Sequence, residues 1–190
     1  MAIDVGAGDG RAILAIAAAD PATLAIGLDA TAASMAEASR RAARAAAKGG
    51  RPNALFVVAA ADAMPRELAG LADLVTARFP WGSLLRGCLG GEPAVAAGLA
   101  GLLAPGATLE LLIAPAERDR LAGIPTEPAD VIGAVRSTFE PLGLGLIDGR
   151  EATVSEVRAS HSTWARRLLA HGGGRAERRV TLVRLRSSRR

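Results

Sequence analysis

Cysteine is nearly absent from this chain of 190 residues, because Cys88 is the only one. A lone cysteine excludes an internal disulfide and a zinc site built from several thiolates, and the sequence predicts no metal centre. The chain also lacks an apolar run of about eighteen residues and a signal-peptide pattern at its start. We therefore expect no membrane association and a cytoplasmic protein.

Aromatic residues are scarce as well, with two Trp, three Phe and no Tyr. In a chain so rich in alanine and glycine, the positions of Trp81 and Trp164 are therefore informative. Half of the residues are hydrophobic, which is typical of an ordered globular protein. The length predicts a single domain over residues 1–190.

Acidic residues become rare only near the end of the sequence. Residues 1–148 contain twelve Lys and Arg against sixteen Asp and Glu, whereas residues 149–190 contain eleven Arg against three Glu. The resulting net charge of +8 in the last part predicts a phosphate-rich partner, with a basic segment around residues 150–179 facing RNA. The alternative for the final arginines is a solvated basic tail.

Patterns of strands and helices alternate along the first 140 residues. Short apolar runs predict strands over 2–5, 24–28, 55–60, 71–77, 108–113, 144–147 and 180–185. Helices are predicted over 11–19, 31–47 (capped by Thr31), 93–103 and 128–139, with a partly helical segment over 155–170. The alternation indicates an α/β, doubly wound, seven-stranded, mostly parallel sheet with an antiparallel last strand.

A glycine turn follows the first predicted strand, in the segment Asp4–Gly10 (DVGAGDG). Ligands of doubly wound sheets bind outside the carboxyl ends of the strands, and glycines let the backbone approach them closely. Several nucleotide-binding folds share such a turn, so it is weak evidence by itself. Asp9 favours S-adenosyl-L-methionine over NAD, because a carboxylate repels a pyrophosphate but attracts the cationic sulfonium and amine.

Two further acids follow the second and third predicted strands. Asp29 lies about twenty residues past the glycines, where a carboxylate can accept hydrogen bonds from ribose hydroxyls. Asp62, within AAADA, is placed to bind the adenine edge of a cofactor. The alternative is that Asp29 and Asp62 only cap the helices that follow them.

Both tryptophans lie in segments suited to a nucleobase. Phe79–Gly82 (FPWG) follows the fourth predicted strand, where methyltransferases that act on base nitrogens often hold a flipped base by stacking. The alternative for Trp81 is core packing. Trp164 precedes Arg166 and Arg167, which combines an aromatic surface with phosphate contacts.

These segments resemble one family, the aminoglycoside-resistance 16S rRNA (adenine-1408-N1) methyltransferases, which modify an adenine of the ribosomal decoding site. The matching segments span nearly the whole chain in the family's order: DVGAGDGR, IGLD, AAADAMP, FPWGSLL and STWARRL. The family usually has Thr or Ser at the position of Ala7, a more basic stretch at residues 172–174, and a further segment before the glycine motif, whereas here Met1 lies three residues before Asp4.

The resemblance implies a Rossmann-like class I methyltransferase fold and a role for each matching residue. Trp81 and Trp164 would stack on the two faces of a flipped adenine, with Ser162 closing the pocket. The residues that would line S-adenosyl-L-methionine are Asp4, Gly6, Ala7, Gly8, Asp29, Ala61, Asp62 and Phe79. Arg166, Arg167 and Arg175 would contact the rRNA backbone. The implied partner is the small ribosomal subunit, with S-adenosyl-L-homocysteine as by-product, and we expect a monomer.

The predicted reaction is direct methyl transfer to N1 of adenine 1408, giving aminoglycoside resistance. Adenine N1 has a lone pair and needs no general base, and we expect His161 and His171 to be surface or loop residues. Three alternatives stay open from the residues alone. They are a small-molecule methyltransferase of the same fold, a weakly active or inactive ribosome-binding relative, and an NAD-dependent enzyme, which Asp9 disfavours.

Overall fold

The computed structural model describes residues 1–115, 123–170 and 179–188. Seven strands form its sheet: β1 (Ala2–Val5), β2 (Ala25–Asp29), β3 (Ala54–Val58), β4 (Ala72–Arg78), β5 (Leu103–Ile113), β6 (Leu144–Glu151) and β7 (Thr181–Ser187). Their order across the sheet is β3-β2-β1-β4-β5-β7-β6. Neighbours among β1 to β5 are parallel, and β7 runs antiparallel between β5 and β6. The predicted fold class is confirmed.

The helices of the described residues are α1 (Arg11–Ala19), α2 (Ala32–Ala42), α3 (Gly82–Cys88), α4 (Pro93–Leu102), α5 (Pro128–Phe139), α6 (Val154–Ala159) and α7 (Thr163–Ala170). Both α4 and α5 begin at a proline, which has no N–H to leave unpaired at that position and a φ already suited to a helix. Over the described residues, no helix has the length and apolarity needed to cross a membrane.

Helices cover both faces of the sheet. Neighbouring residues of a strand point to opposite faces, so Ala25 of β2 packs with Ile13 of α1 and Met35 of α2, whereas Ile26 belongs to the larger cluster on the other face. A third cluster joins α6 and α7 to the carboxyl end of the sheet, through residues such as Phe79. This packing brings the segment around Trp164 to the edge where a ligand is expected.

The sheet also fixes where that ligand lies. The strand order reverses between β1 and β4, since the chain builds outward to β3 on one side and to β5 on the other. A doubly wound sheet has a crevice at such a point, outside the carboxyl ends of the strands. The loops after β1 and β4 therefore flank the candidate site.

Several predicted bounds are wrong. The helix predicted over 31–47 ends at Ala42, and a separate 3-10 turn, Ala46–Lys48, precedes Gly49. Residues 43–48 are four alanines, Arg44 and Lys48, which all favour a helix, so the sequence contains no stop signal before the glycines. The predicted cap is also wrong, because the side chain of Thr31 makes no capping hydrogen bond.

Helix α3 was not predicted, and strands β5 and β6 are longer than predicted. Helix α3 has only seven residues and begins at Gly82, which gives no periodic apolar pattern. Strand β5 already begins at Leu103, so it includes residues 104–107, which lie between the predicted helix over 93–103 and the predicted strand over 108–113. Strand β6 continues to Glu151 through charged residues.

Candidate cofactor and substrate site

The glycine loop after β1 is held firmly by its own backbone. The N–H groups of Gly6 and Ala7 both donate to the carbonyl of Leu28, at 2.8 and 2.9 Å. Gly6, Gly8 and Gly10 all have positive φ, a conformation that other residues adopt only with strain. A Cβ at Gly10 would also lie 2.6 Å from the Cβ of Ala38, so α2 packs directly against the loop.

Ala7 contributes only backbone to the exposed side of this loop. Its methyl group is buried in the cluster that contains Ile13 and Met35. The Thr or Ser of the resembling family would therefore have its side chain in this packed environment. The predicted contact of Ala7 with a cofactor would thus be made by its backbone.

Asp4 lies behind the loop rather than at its surface. It is buried, and its Oδ1 accepts hydrogen bonds from Thr76 Oγ1 and from Arg78 Nη1, the latter at 2.9 Å. Burial raises the pKa of the Asp4 carboxyl, and the Arg78 guanidinium opposes that rise. Asp4 and Arg78 thus tie β1 to β4 beneath the crevice, and direct cofactor contact by Asp4 stays a prediction.

Asp29 uses both of its carboxylate oxygens to organise the site. Oδ2 accepts from the Gly8 N–H at 2.9 Å, and Oδ1 accepts from the Thr31 N–H at 2.8 Å. Asp29 therefore orders the turn that leads into α2 and also sits beside the glycine loop. It does not cap α2 itself, whose N-cap residue is Thr31, so the capping alternative is wrong for Asp29. Each carboxylate oxygen has two lone pairs, so acceptor capacity is left for ribose hydroxyls.

Asp62 and Ala61 lie on the connection between β3 and β4. Asp62 is exposed and has no hydrogen-bond or ion-pair partner among the described residues. It does not cap the next helical turn, which begins after Pro65. The carbonyl oxygen of Ala61 would lie only 2.8 Å from a Cβ at Gly98, so this loop packs closely on α4. The capping alternative is thus wrong for Asp62.

Asp9 is engaged by other residues of the protein. Its Oδ2 accepts a hydrogen bond from Thr163 Oγ1 and lies 3.2 Å from Arg11 Nε. The charge that was expected to favour a cationic cofactor is thus paired with a guanidinium. The pairing weakens the electrostatic argument from Asp9, whose influence on the choice of cofactor stays a prediction.

The segment after β4 contains one buried and one exposed aromatic ring. Phe79 is buried and has a φ of 53°, and its N–H donates to the carbonyl of Leu112 at 2.7 Å. Trp81 is 82% exposed and directly precedes α3. Such exposure excludes core packing for Trp81 and is unusual for so large an apolar side chain.

Trp164 lies over the same strand end. Its ring stacks on the ring of Phe79, with centroids 4.7 Å apart. Ser162 caps α7, because its Oγ accepts from the Trp164 N–H at 3.1 Å. Two residues can span at most about 7 Å of chain, so Trp81 cannot be far from the Phe79–Trp164 pair. The structure therefore brings the two predicted tryptophans to one edge of the sheet.

The arginines of the last part of the chain divide into two groups. Arg150, Arg179 and Arg184 are ion-paired, for example Arg150 with Glu156 at 2.7 Å and Arg184 with Glu110 at 2.8 Å. The net charge of this segment thus overstates the basic surface, because Glu127 and Glu110, which lie outside the segment, pair with Arg179 and Arg184. Arg166 and Arg167 are exposed on α7. Arg175 lies outside the described residues.

Three residues of the site were not predicted. Thr163 donates a hydrogen bond to Asp9, and Arg78 donates one to Asp4. Glu156 forms an ion pair with Arg150. Nothing in the local sequence marks such contacts. Within the described ranges, the histidine and the cysteine give no competing site: His161 is exposed, and Cys88 is buried, which raises its pKa to about 12. His171 lies outside the described residues.

Comparison with known proteins identifies relatives of this chain. A family model described as NpmA, 16S rRNA (adenine(1408)-N(1))-methyltransferase, matches residues 1–185. A 16S rRNA (adenine(1408)-N(1))-methyltransferase of Streptoalloteichus tenebrarius is 36% identical over 171 residues, which cover 87% of this chain and 79% of the relative.

Solved structures of similar proteins support the same family. The crystal structure of a 16S rRNA (adenine(1408)-N(1))-methyltransferase variant from Catenulisporales acidiphilia, with cosubstrate SAM, matches with a TM-score of 0.85 and 34% identity, covering 99% of this chain and 85% of that one. The crystal structure of the aminoglycoside resistance methyltransferase NpmB1 matches with a TM-score of 0.73 and 35% identity, covering 98% and 86%.

Proposed function

Because this chain belongs to the family of 16S rRNA (adenine(1408)-N(1))-methyltransferases, we propose that it methylates N1 of that adenine in the decoding site, with S-adenosylmethionine as the methyl donor. S-adenosyl-L-homocysteine is the by-product, and the modification protects the ribosome from aminoglycosides. The chain acts in the cytoplasm, as a monomer, on the small ribosomal subunit.

The residues around the crevice fit the cofactor. The loop of Gly6 to Gly10 offers close backbone approach, and a Cβ at Gly8 would have no neighbour nearer than 4.0 Å, so this part of the loop faces open space. Asp29 retains acceptor capacity for ribose hydroxyls, and the exposed Asp62 can accept from an adenine amino group. When bound, S-adenosylmethionine supplies an electrophilic methyl group on a sulfonium.

The observation that supports the substrate assignment is the pair of aromatic surfaces at the end of β4. Trp81 is 82% exposed, two residues after the Phe79 ring on which Trp164 stacks. An adenine would stack between Trp81 and the face of Trp164 that is opposite Phe79. Base flipping costs a few kcal/mol, and stacking on an aromatic side chain returns about 1–3 kcal/mol per base.

The chain's task in the reaction is positioning. Adenine N1 attacks with its own lone pair, so no side chain has to remove a proton, and the exposed His161 is not needed as a base. Holding the two reactants in line can contribute up to roughly 7–11 kcal/mol. Arg166 and Arg167, together with Arg175 in the basic segment of residues 150–179, bind the rRNA backbone.

The test compares methyl incorporation with cofactor binding. Purified small subunits are incubated with methyl-labelled S-adenosylmethionine and wild type, Trp81→Ala or Trp164→Ala, and label in 16S rRNA is counted. We expect both variants to lose incorporation while calorimetry shows that they still bind S-adenosylmethionine. Loss of cofactor binding in both variants would contradict the stacking assignment. Cofactor binding without any wild-type incorporation would indicate a ribosome-binding relative that lacks turnover.

A further inference from the structure

Thr163 links the helix that contains Trp164 to the glycine loop. Its Oγ1 donates a hydrogen bond to Asp9 Oδ2 across 154 residues of sequence, and the same oxygen accepts from Arg166 Nη2 at 3.0 Å. The same Oδ2 of Asp9 lies 3.2 Å from Arg11 Nε. The Arg11 N–H also donates to Oδ1 at 3.3 Å. Asp9 is thus held by the first residue of α1 and shares its Oδ2 with Thr163.

The amino-terminal end of α7 therefore has two external anchors. One is the Asp9–Thr163 hydrogen bond, on the loop after β1, and the other is the Phe79–Trp164 stack, after β4. These are the two loops that flank the crevice. A stack restrains the distance between rings but leaves rotation about the contact comparatively soft. A directional hydrogen bond one residue away removes that freedom.

We propose that Thr163 and Asp9 are positioning residues for methyl transfer, whose hydrogen bond sets the angle of the Trp164 ring relative to the glycine loop. The inference rests on the proposed function, since the ring is useful only if an adenine stacks on it. The adenine is thereby aligned with the methyl group by the same loop that binds the cofactor. Neither residue has to touch adenine or cofactor.

The test uses a matched pair of variants. Thr163→Val keeps the shape of the side chain but removes the hydroxyl, whereas Thr163→Ser keeps the hydroxyl. We expect Thr163→Val to lower kcat about 10-fold to 100-fold, because misplacement by about 1 Å has that effect on rate. The KM for small subunits and the Kd for S-adenosylmethionine should change less than about 3-fold, which separates alignment from binding. Thr163→Ser should restore kcat.

A spectroscopic measurement does not depend on turnover. In a Trp81→Phe background, Trp164 is the only tryptophan, and its fluorescence anisotropy reports how firmly the ring is held. Thr163→Val and Asp9→Ala should lower that anisotropy, whereas Thr163→Ser should not. Asp9→Asn keeps an acceptor for Thr163 without the charge, so it should retain the wild-type signal. Thermal unfolding of each variant confirms that it is folded.

Three results would overturn the inference. The first is equal kcat for Thr163→Val and wild type, and the second is equal loss for Thr163→Ser and Thr163→Val. The third is weaker cofactor binding by Thr163→Val or Asp9→Ala with unchanged Trp164 anisotropy, which would assign Asp9 to the cofactor instead. If the wild type methylates no rRNA, the proposed function fails, while the anisotropy comparison still decides whether Asp9 and Thr163 orient Trp164.

Discussion

The Trp164 ring stacks on the Phe79 ring with the two planes inclined by 29°. Phe79 holds its place with a φ of 53°, in a region that costs a residue other than glycine roughly 1–2 kcal/mol. The strained backbone persists because the ring is buried between the sheet and α7. Such strain tends to be found where geometry serves a function.

The stack predicts a measurable coupling between the two rings. Phe79→Leu keeps an apolar side chain but removes the aromatic face, and Trp164→Leu removes the other. Aromatic pairs contribute about 0.5–1.5 kcal/mol beyond burial, so a double-mutant cycle on the free energy of unfolding should give about 1 kcal/mol. Additive effects of the two substitutions would show that the rings do not stack in solution.

Asp62 offers the cleanest test of the cofactor site. It has no partner among the described residues, so Asp62→Ala should leave the free energy of unfolding within about 0.5 kcal/mol of wild type. Loss of one or two hydrogen bonds should weaken S-adenosylmethionine binding about 10-fold, measured by calorimetry. The control is Glu67→Ala, an exposed acid five residues away. Equal cofactor affinity in both variants would remove Asp62 from the site.

The ion pair of Glu156 with Arg150 should make the free energy of unfolding depend on pH. Hydrogen bonds from the Arg150 guanidinium, and then from the Thr153 N–H, hold the pKa of Glu156 well below its ordinary value. A carboxyl whose pKa is lowered by folding stabilises the folded state above its unfolded pKa, near 4.3, and loses that contribution as pH falls. Glu156→Gln should therefore be less stable than wild type at pH 7.

Comparing Glu156→Gln with wild type at acidic pH tests this prediction. Urea unfolding of both proteins should show the difference in free energy constant above about pH 5.5 and shrinking steadily below about pH 4.5. Glutamine can still complete the capping box with Thr153, so the comparison isolates the charge. A difference that does not change with pH would show that the ion pair of Glu156 with Arg150 is not what stabilises the fold.

Arg167 tests the basic surface on α7. Arg167→Glu should weaken binding to the small subunit by about 10-fold or more at low salt, and by less as salt rises, because phosphate contacts are salt-dependent. Arg136→Glu is the matched control, since Arg136 is exposed on α5 and already pairs with Glu140. Equal losses for both variants would indicate a general effect of charge rather than a docking surface.

The sequence predicted the fold wherever local signals define an element. Helices α1 and α5 have the predicted bounds because a glycine turn and Pro128 mark their starts. The antiparallel orientation predicted for the last strand is confirmed in β7. The short α3 and the charged half of β6 were not predictable from periodicity, since tertiary contacts stabilise them.

The site was predicted unevenly for the same reason. Asp29, Asp62 and Trp81 follow strands, and strand ends meet at one edge, so a pattern along the chain sufficed. The charge of Asp9 was used to favour a cationic cofactor, whereas its hydrogen bond with Thr163, 154 residues away, could not be predicted from the local sequence. The net charge of the last part likewise concealed that Arg150 and Arg184 are paired with acids of neighbouring elements.

The most direct measurement is primer extension on 16S rRNA after purified small subunits have been incubated with the protein and S-adenosylmethionine. Methylation at N1 blocks base pairing, so reverse transcriptase should stop at the nucleotide just before adenine 1408. That stop should require both cofactor and protein, and should disappear with Trp81→Ala. Full read-through with active cofactor binding, or a stop at another nucleotide, would contradict the account.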